Sequence, residues 1–423
     1  MNLIKTSVFS AIITLVRISS GFLAGKIIAM LTGPLGVATV GAFTNFSTIV
    51  LAVGNGAINN GVIKYVSEYN ADEETTTRLI SSALKITFFS SVFVSVFILF
   101  FASYFSKVVL GNSDYVNVII VLGITLIFYS LNSLIISILN GKGEIKKYTL
   151  INAIGSITSL LLTILLVIYY KVEGALYSIV LSQVIVFAFS AFLVRKSGII
   201  SKKNVLEKFD RKLGVRLSHF SLMALVSALT VPVSQILLRN IISHDLGINA
   251  AGYWQGMMRV SDGYLMLITT SLSVYYLPKL SALISNNEIR TEVLNGYKII
   301  LPSVFIGCLV IYFLRFYVIE LLFTKKFMPM ETLFFWQLIG DFFKMASWVL
   351  SFLMLAKAKT TIFIISEIGF SALYVILSII FIKNYGIQGA SISFALNYFI
   401  YLLAMIFLFR KLLFNPHDGR LQL

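Results

Sequence analysis

AAGYWQGMMRVSDGYLMLITTSLSVYYLPKLS, from Ala250 to Ser281, decides how this chain is read. It is long and apolar enough to cross a bilayer as a helix, which takes about 20 residues. Yet Arg259 and Asp262 sit inside it, three positions apart and on one helical face. Gly252, Gln255, Gly256 and Gly263 share that face, while Leu265, Leu267, Ile268 and Leu272 dominate the C-terminal half. Small residues admit a neighbouring helix closely, and ionisable residues at membrane depth face protein or water. The stretch therefore predicts a spanning helix with one side toward lipid and one toward a polar interior. A salt bridge between Arg259 and Asp262 that only fixes packing is the plainer alternative.

The whole chain agrees. Charged residues make up 12% of the 423, about half the share in a soluble protein, and hydrophobic residues 58%. This composition predicts an all-α integral membrane protein. Arg17 interrupts the first apolar run and no small-residue cleavage site follows, so that run reads as a retained helix. Cys308 is the single cysteine, which excludes an internal disulfide, and His219, His244 and His417 lie too far apart to suggest a metal site. The net charge of +16 reads as membrane orientation, not nucleic-acid binding.

About twelve apolar segments can be marked, the first near 4–31 and the last near 388–412. With a cytoplasmic N-terminus, about 23 Lys and Arg fall on the inner side and about 6 on the outer. Both termini are therefore expected in the cytoplasm. The basic stretch around 195–216 divides the chain into a six-helix lobe at 1–200, a cytoplasmic linker at 201–216 and a second six-helix lobe at 217–423.

The lobes look like copies. Gly174, Ala175, Ser178, Leu181, Ile185, Phe192, Leu193, Arg195 and Lys196 recur at one offset as Gly389, Ala390, Ser393, Leu396, Ile400, Phe407, Leu408, Arg410 and Lys411. An even number of spans gives both copies one orientation, so a parallel pseudo-two-fold repeat across a central cavity is expected. The outer loops are too short to hold a catalytic domain, which argues against an enzyme.

The charges at membrane depth are the candidate site. Arg17 lies mid-span with Ser10, Thr14, Gly21 and Gly25 on its face. Lys26 lies toward the outer end of the same span, where snorkelling is the plainer reading. In the tenth span Gln337, Gly340, Asp341, Lys344 and Ser347 form one stripe. Glu367 is in the eleventh. Each mid-membrane charge costs roughly 2.5–3.5 kcal/mol, so partners are needed. Pairing Arg259 with Asp262 and Lys344 with Asp341 is the expectation from spacing, and it leaves Arg17 for an anionic ligand. Tyr264 and Trp254 are candidate sugar platforms. Asn45, Asn55, Asn59, Asn60, Asn132 and Asn140 either line the same cavity or bond helix to helix.

GYWQG, VSDGYL and SVYYLPKLS (252–281), LFFWQLIGDFFK with LAKAK (333–359), TGPLG (32–36) and GNSDY (111–115) carry a resemblance. Together they resemble the Wzx flippases of bacterial surface-polysaccharide assembly, in the branch that includes the O-antigen flippases and the lipid III flippase of enterobacterial common antigen. That family belongs to the MOP superfamily with the MATE exporters. The resemblance implies a MATE-like fold, an undecaprenyl-diphosphate-linked oligosaccharide as substrate, and movement from the cytoplasmic to the periplasmic leaflet of the bacterial inner membrane by alternating access. Arg17, Lys26, Asp262, Asp341 and Lys344 sit at positions that match; with Asn45, Arg259 and Tyr264 from the residue pattern, the candidate diphosphate and sugar cavity is Arg17, Lys26, Asn45, Arg259, Tyr264 and Lys344, and the ion-coupling candidates are Asp262, Asp341 and Glu367. Arg259 departs from the family pattern, which makes substrate tuning its expected role. No cofactor is implied; coupling to protons or sodium is left open. The polysaccharide polymerase and chain-length machinery are the implied partners. A MATE-like drug or cation exporter is the alternative, disfavoured by the cations, and a polymerase or ligase the remoter one.

Reporter fusions check the topology: a fusion at Lys203 is expected to read cytoplasmic and one at Asn112 periplasmic, and the reverse at either site defeats the assignment.

Overall fold

The computed structural model describes residues 3–70, 72–199, 207–283, 285–357 and 359–414. Every regular element among them is helical. This follows from the bilayer, where each backbone N–H and C=O must be satisfied within its own segment. Nine helices among the described residues are long and apolar enough to cross a membrane.

Two of those helices are double passes. Helix α1 (Leu3–Gly54) has 52 residues, about 78 Å if straight, against a hydrocarbon core of about 30 Å. It breaks at Gly33 (φ 67°, ψ −164°), and Pro34 starts the next pass. Gly36 is forced here, since a Cβ would lie 1.8 Å from Thr32 Oγ1. Helices α2 (Asn59–Glu68), α3 (Glu73–Phe100), α4 (Ala102–Leu110) and α5 (Val116–Gly141) follow. Thr75 hydrogen-bonds the N-cap Asp72 and holds its carboxyl below the usual range. Helix α6 (Ile145–Lys196), also of 52 residues, breaks at Lys171. With the quoted stretch, helical over Ile248–Ser271, these passes account for the twelve expected segments.

The described residues fall into two compact units, 1–236 and 237–423. The border lies inside α7 (Arg211–Leu246), just after Pro232. The expected linker lies within the first unit. Its described part, 207–216, is fastened there: Ser81 and Lys85 donate to the Glu207 carbonyl, Asp210 N–H donates to Ser82, and Arg216 donates to the Tyr69 hydroxyl. Leu213 and Leu217 join Val62, Leu79, Ile80, Leu134 and Ile138 in one core. On α3, Phe89, Phe93, Val96 and Phe100 form an exposed stripe at helical spacing, the side that meets lipid.

The second unit contains the end of α7, then α8 (Ile248–Ser271), which runs through a π-helical turn (Leu272–Tyr276) into α9 (Leu277–Ala282). Helices α10 (Asn286–Phe313), α11 (Arg315–Leu322), α12 (Phe334–Ala356), α13 (Thr360–Tyr385), α14 (Gln388–Leu408) and α15 (Arg410–Phe414) complete it. Arg315 is held by Glu331 (3.3 Å) and lies over the rings of Tyr312 and Phe316. Glu320 is exposed and pairs with Lys325 at 3.9 Å.

The repeat is built into the backbone. Lys171 (φ 51°, ψ −123°) and Gly386 (φ 59°, ψ −142°) make the same reversal at the same offset. After it, a Cβ on Gly174 would lie 2.0 Å from the Leu166 carbonyl oxygen, and one on Gly389 2.1 Å from that of Phe381. Thr163 and Ser178 then share a buried hydrogen bond of 3.0 Å, as Ser378 and Ser393 do at 2.8 Å. Lys171 thus holds a conformation suited to glycine, and only the second copy has the glycine. Lys171→Gly is expected to stabilise the protein by about 1 kcal/mol and Gly386→Lys to destabilise it comparably. Gly389→Ala should cost more than Gly386→Lys. Thermal unfolding in detergent, followed by fluorescence, checks all three.

Candidate substrate-binding and coupling site

The polar residues of α8 and α12 converge within the second unit, but not in the pairs that spacing suggests. Lys344 Nζ lies 3.9 Å from Asp262 Oδ1, so the ion pair runs between helices. Among the described residues Arg259 makes no ion pair with Asp262. Asp341 is fully buried, and the Tyr264 hydroxyl donates to its Oδ2 at 2.7 Å. The reason is rotational: residues three apart share a face, yet when that face meets a neighbouring helix the nearest opposite charge is across the contact. The expected pairing of Arg259 with Asp262 is therefore corrected: Lys344 pairs with Asp262, and Asp341, which the Lys344 charge also reaches, takes its hydrogen bond from Tyr264.

Asp341 Oδ1 has no hydrogen-bond partner. The Ser261 hydroxyl lies beside the carboxylate, short of hydrogen-bond geometry. Gln337 and Ser347, the other polar members of the tenth-span stripe, are structural. Gln337 accepts from Ser391 at 3.3 Å and Ser347 donates to the Lys344 carbonyl. Gly340 gives Phe394 its place, since a Cβ there would lie 2.3 Å from Phe394 Cδ1. Phe394 is then one of three rings around Lys344, whose ammonium is 5.1 Å from the centroid of Trp348 and 5.9 Å from those of Phe394 and Tyr398. Cation–π attraction acts over these distances.

Glu367 is half-buried and within electrostatic reach of Tyr398 and Tyr401. Arg259 is half-buried on α8, one turn from the cluster. Trp254 is fully buried, so the expected interfacial sugar platform is corrected: it is a core side chain beside Tyr374. On α9, Lys279 pairs with Glu292 at 2.6 Å and donates to the Tyr275 hydroxyl at 3.0 Å, which raises its pKa above the ordinary lysine value.

Arg17, Lys26 and Asn45 belong to the first unit. Arg17 is exposed, while Lys26 and Asn45 are half-buried along α1. The side chains of residues 1–15, which include Ser10 and Thr14, lie outside the described ones. Three of the other asparagines are structural. Asn55 accepts from Ala57 N–H, Asn59 donates to Ser133 at 2.7 Å, and Asn132 accepts from Ser190 at 2.8 Å. Sequence reasoning passed over Trp348, Phe394 and Tyr398. Trp348 is one turn beyond Lys344 and visible in that spacing; nothing in the sequence brings α14 to it. Arg239 was also missed: it is a buried residue of α7 beside Asn240.

These features define a class, a multi-pass membrane transporter of two-lobed MATE architecture. An inward-facing multidrug resistance MATE family transporter of the MOP superfamily matches with a TM-score of 0.75, over 94% of this chain and 97% of that one, at 18% identity. A MOP superfamily transporter from Pyrococcus furiosus matches at 0.66 over 97% and 95%, at 15% identity. Identities this low show the fold alone. Sequence goes further. The profile of the family described as "Polysaccharide biosynthesis protein" matches residues 10–332. The lipid III flippases of Escherichia coli (strain K12) and Shigella flexneri are each 31% identical over 402 residues, 95% of this chain and 96% of theirs. The chain belongs to the polysaccharide biosynthesis protein family.

A double-mutant cycle tests the pairing. Asp262→Asn with Lys344→Gln is expected to show a coupling of about 0.5–1 kcal/mol, and Asp262→Asn with Arg259→Gln none. Equal coupling in both cycles would restore the pairing by spacing.

Proposed function

We propose that the protein is a flippase that carries an undecaprenyl-diphosphate-linked oligosaccharide from the cytoplasmic to the periplasmic leaflet of the bacterial inner membrane. It acts by alternating access, with both termini in the cytoplasm. The observation that carries this reading is the end-to-end match to the lipid III flippases. No bond is made or broken, so the work of the protein is to replace water around a polar head group at bilayer depth. The membrane potential favours outward movement of an anion by roughly 2.3 kcal/mol per charge per 100 mV. The polysaccharide polymerase and chain-length machinery are the proposed neighbours that receive the product.

Within this reading Arg17 takes the diphosphate. It is a mid-span cation, exposed, and without a carboxylate partner among the described residues. Lys26, Asn45 and Arg259 add polar contacts, with Arg259 tuning which saccharide is accepted. Asp262, Asp341 and Glu367 are the proposed coupling groups. An anionic substrate competes with Asp262 for Lys344, so loading the substrate and loading a proton or sodium ion on these carboxylates are linked reciprocally.

A deletion strain is expected to accumulate one lipid-linked saccharide in the cytoplasmic leaflet, and the wild-type gene to clear it. A deletion that leaves lipid-linked sugars unchanged but alters drug tolerance would favour the exporter. Arg17→Ala should abolish surface polysaccharide while Arg17→Lys retains part of it, measured at equal protein levels in the membrane. In vesicles, Asp341→Asn should remove the pH or sodium dependence of flipping; a wild-type response in that variant excludes coupling through Asp341.

A further inference from the structure

Lys344 is unusually placed for an ammonium group. Its side chain is 11% exposed, and rings of Trp348, Phe394 and Tyr398 surround it. Among the described residues Nζ makes no hydrogen bond. The nearest carboxylate, Asp262, stands at 3.9 Å, an ion pair too long to be a hydrogen bond. An ammonium carries three N–H groups, so Lys344 has donors to offer a ligand. Asp262 itself is 61% exposed. A carboxylate open to its surroundings at membrane depth faces water, since lipid would cost it several kcal/mol. The aqueous side of this cluster is therefore the Asp262 side, and Lys344 is the layer beneath.

Behind the carboxylate stand the rings. Trp348 and Tyr398 are half-buried, whereas Phe394 is buried and fixed by Gly340 and by edge contacts to Tyr374 and Tyr398. A half-exposed indole and phenol next to a water-facing carboxylate combine what a sugar ring requires: an apolar face to stack on and an acceptor for its hydroxyls. The first copy of the repeat lacks all of it. At the same offset Asp341 corresponds to Leu126, Lys344 to Tyr129 and Gln337 to Leu122, and both leucines are buried. The cluster is thus no requirement of the shared fold.

We propose that Trp348, Tyr398 and Asp262 form a saccharide subsite around Lys344. A sugar ring of the head group stacks on the indole, its hydroxyls donate to Asp262, and an anionic oxygen of the head group takes the open position on Lys344. This deepens the flippase reading and rests on it. The anionic oxygen belongs either to the carboxylate of an acidic sugar or to the diphosphate, which share this chemistry.

The test measures binding to the full-length protein in nanodiscs with three short-chain prenyl diphosphate probes. One carries no sugar, one a neutral N-acetylhexosamine, and one a disaccharide ending in a uronic acid. Trp348→Leu is expected to weaken both sugar-bearing probes roughly tenfold, with the sugar-free probe unchanged, and Trp348→Phe to recover part of the loss. The sugar-free probe also reports that the variant is folded. Lys344→Gln is expected to weaken the uronate probe alone if the oxygen is a sugar carboxylate, and all three if it is a diphosphate oxygen. The proposal is overturned if Trp348→Leu affects all probes equally or none, or if Lys344→Gln affects none. If the wild-type protein binds none of the three, the flippase reading falls and the subsite with it.

Discussion

A charge at bilayer depth has to find an opposite charge, a hydrogen-bond network or water, because hydrocarbon offers none of these. In the second unit this constraint explains most of what α8, α12 and α14 do. Asp341 is sealed from solvent and takes the Tyr264 hydroxyl. Lys344 lies under three rings and leans toward Asp262. Gly340 lets α14 come close enough for Phe394 to close over the cation. The shared fold does not itself demand these charges: in the first unit Asp341 and Gln337 are matched by the buried Leu126 and Leu122, and Lys344 by the uncharged Tyr129.

The two units show how one backbone device serves different chemistry. Each contains a helix reversal with positive φ, a glycine pressed against a carbonyl oxygen of the helix before the reversal, and a hydroxyl pair that locks the returning helix. These contacts are steric and local, so they tolerate little change in either copy. The facing side chains between the spans are freer. The first unit joins its helices there with Asn132 and Ser190, a neutral hydrogen bond. The second places two carboxylates, a lysine and a tyrosine at the same level of its bundle.

This division suits a protein that moves a charged, hydroxylated head group without altering it. Within the second unit, the mixed ionic and aromatic cluster around Lys344 offers charge, hydroxyl and apolar surface side by side. The match to the lipid III flippases supplies the substrate class for this reading.

Hydropathy and charge count by themselves determined the helical membrane class, the number of passes and the duplicated halves, because those follow from bilayer thickness and from side-chain transfer energies summed along the chain. The glycines of the repeat were legible for the same reason: Gly174 and Gly389 recur because nothing larger fits. The family was legible in the motifs of the eighth and tenth helices. The partners of the charges were not. Spacing along a helix says which residues share a face and nothing about what that face meets, so Arg259 was matched with a carboxylate that pairs with Lys344. Trp254 read as a sugar platform and is core, whereas Trp348, Phe394 and Tyr398 drew no reading and enclose a lysine. Arg239 drew none either, yet packing buries it in α7. Only the tertiary structure decides such cases, because the energy of a buried charge depends on atoms a few ångströms away in space and far away in sequence.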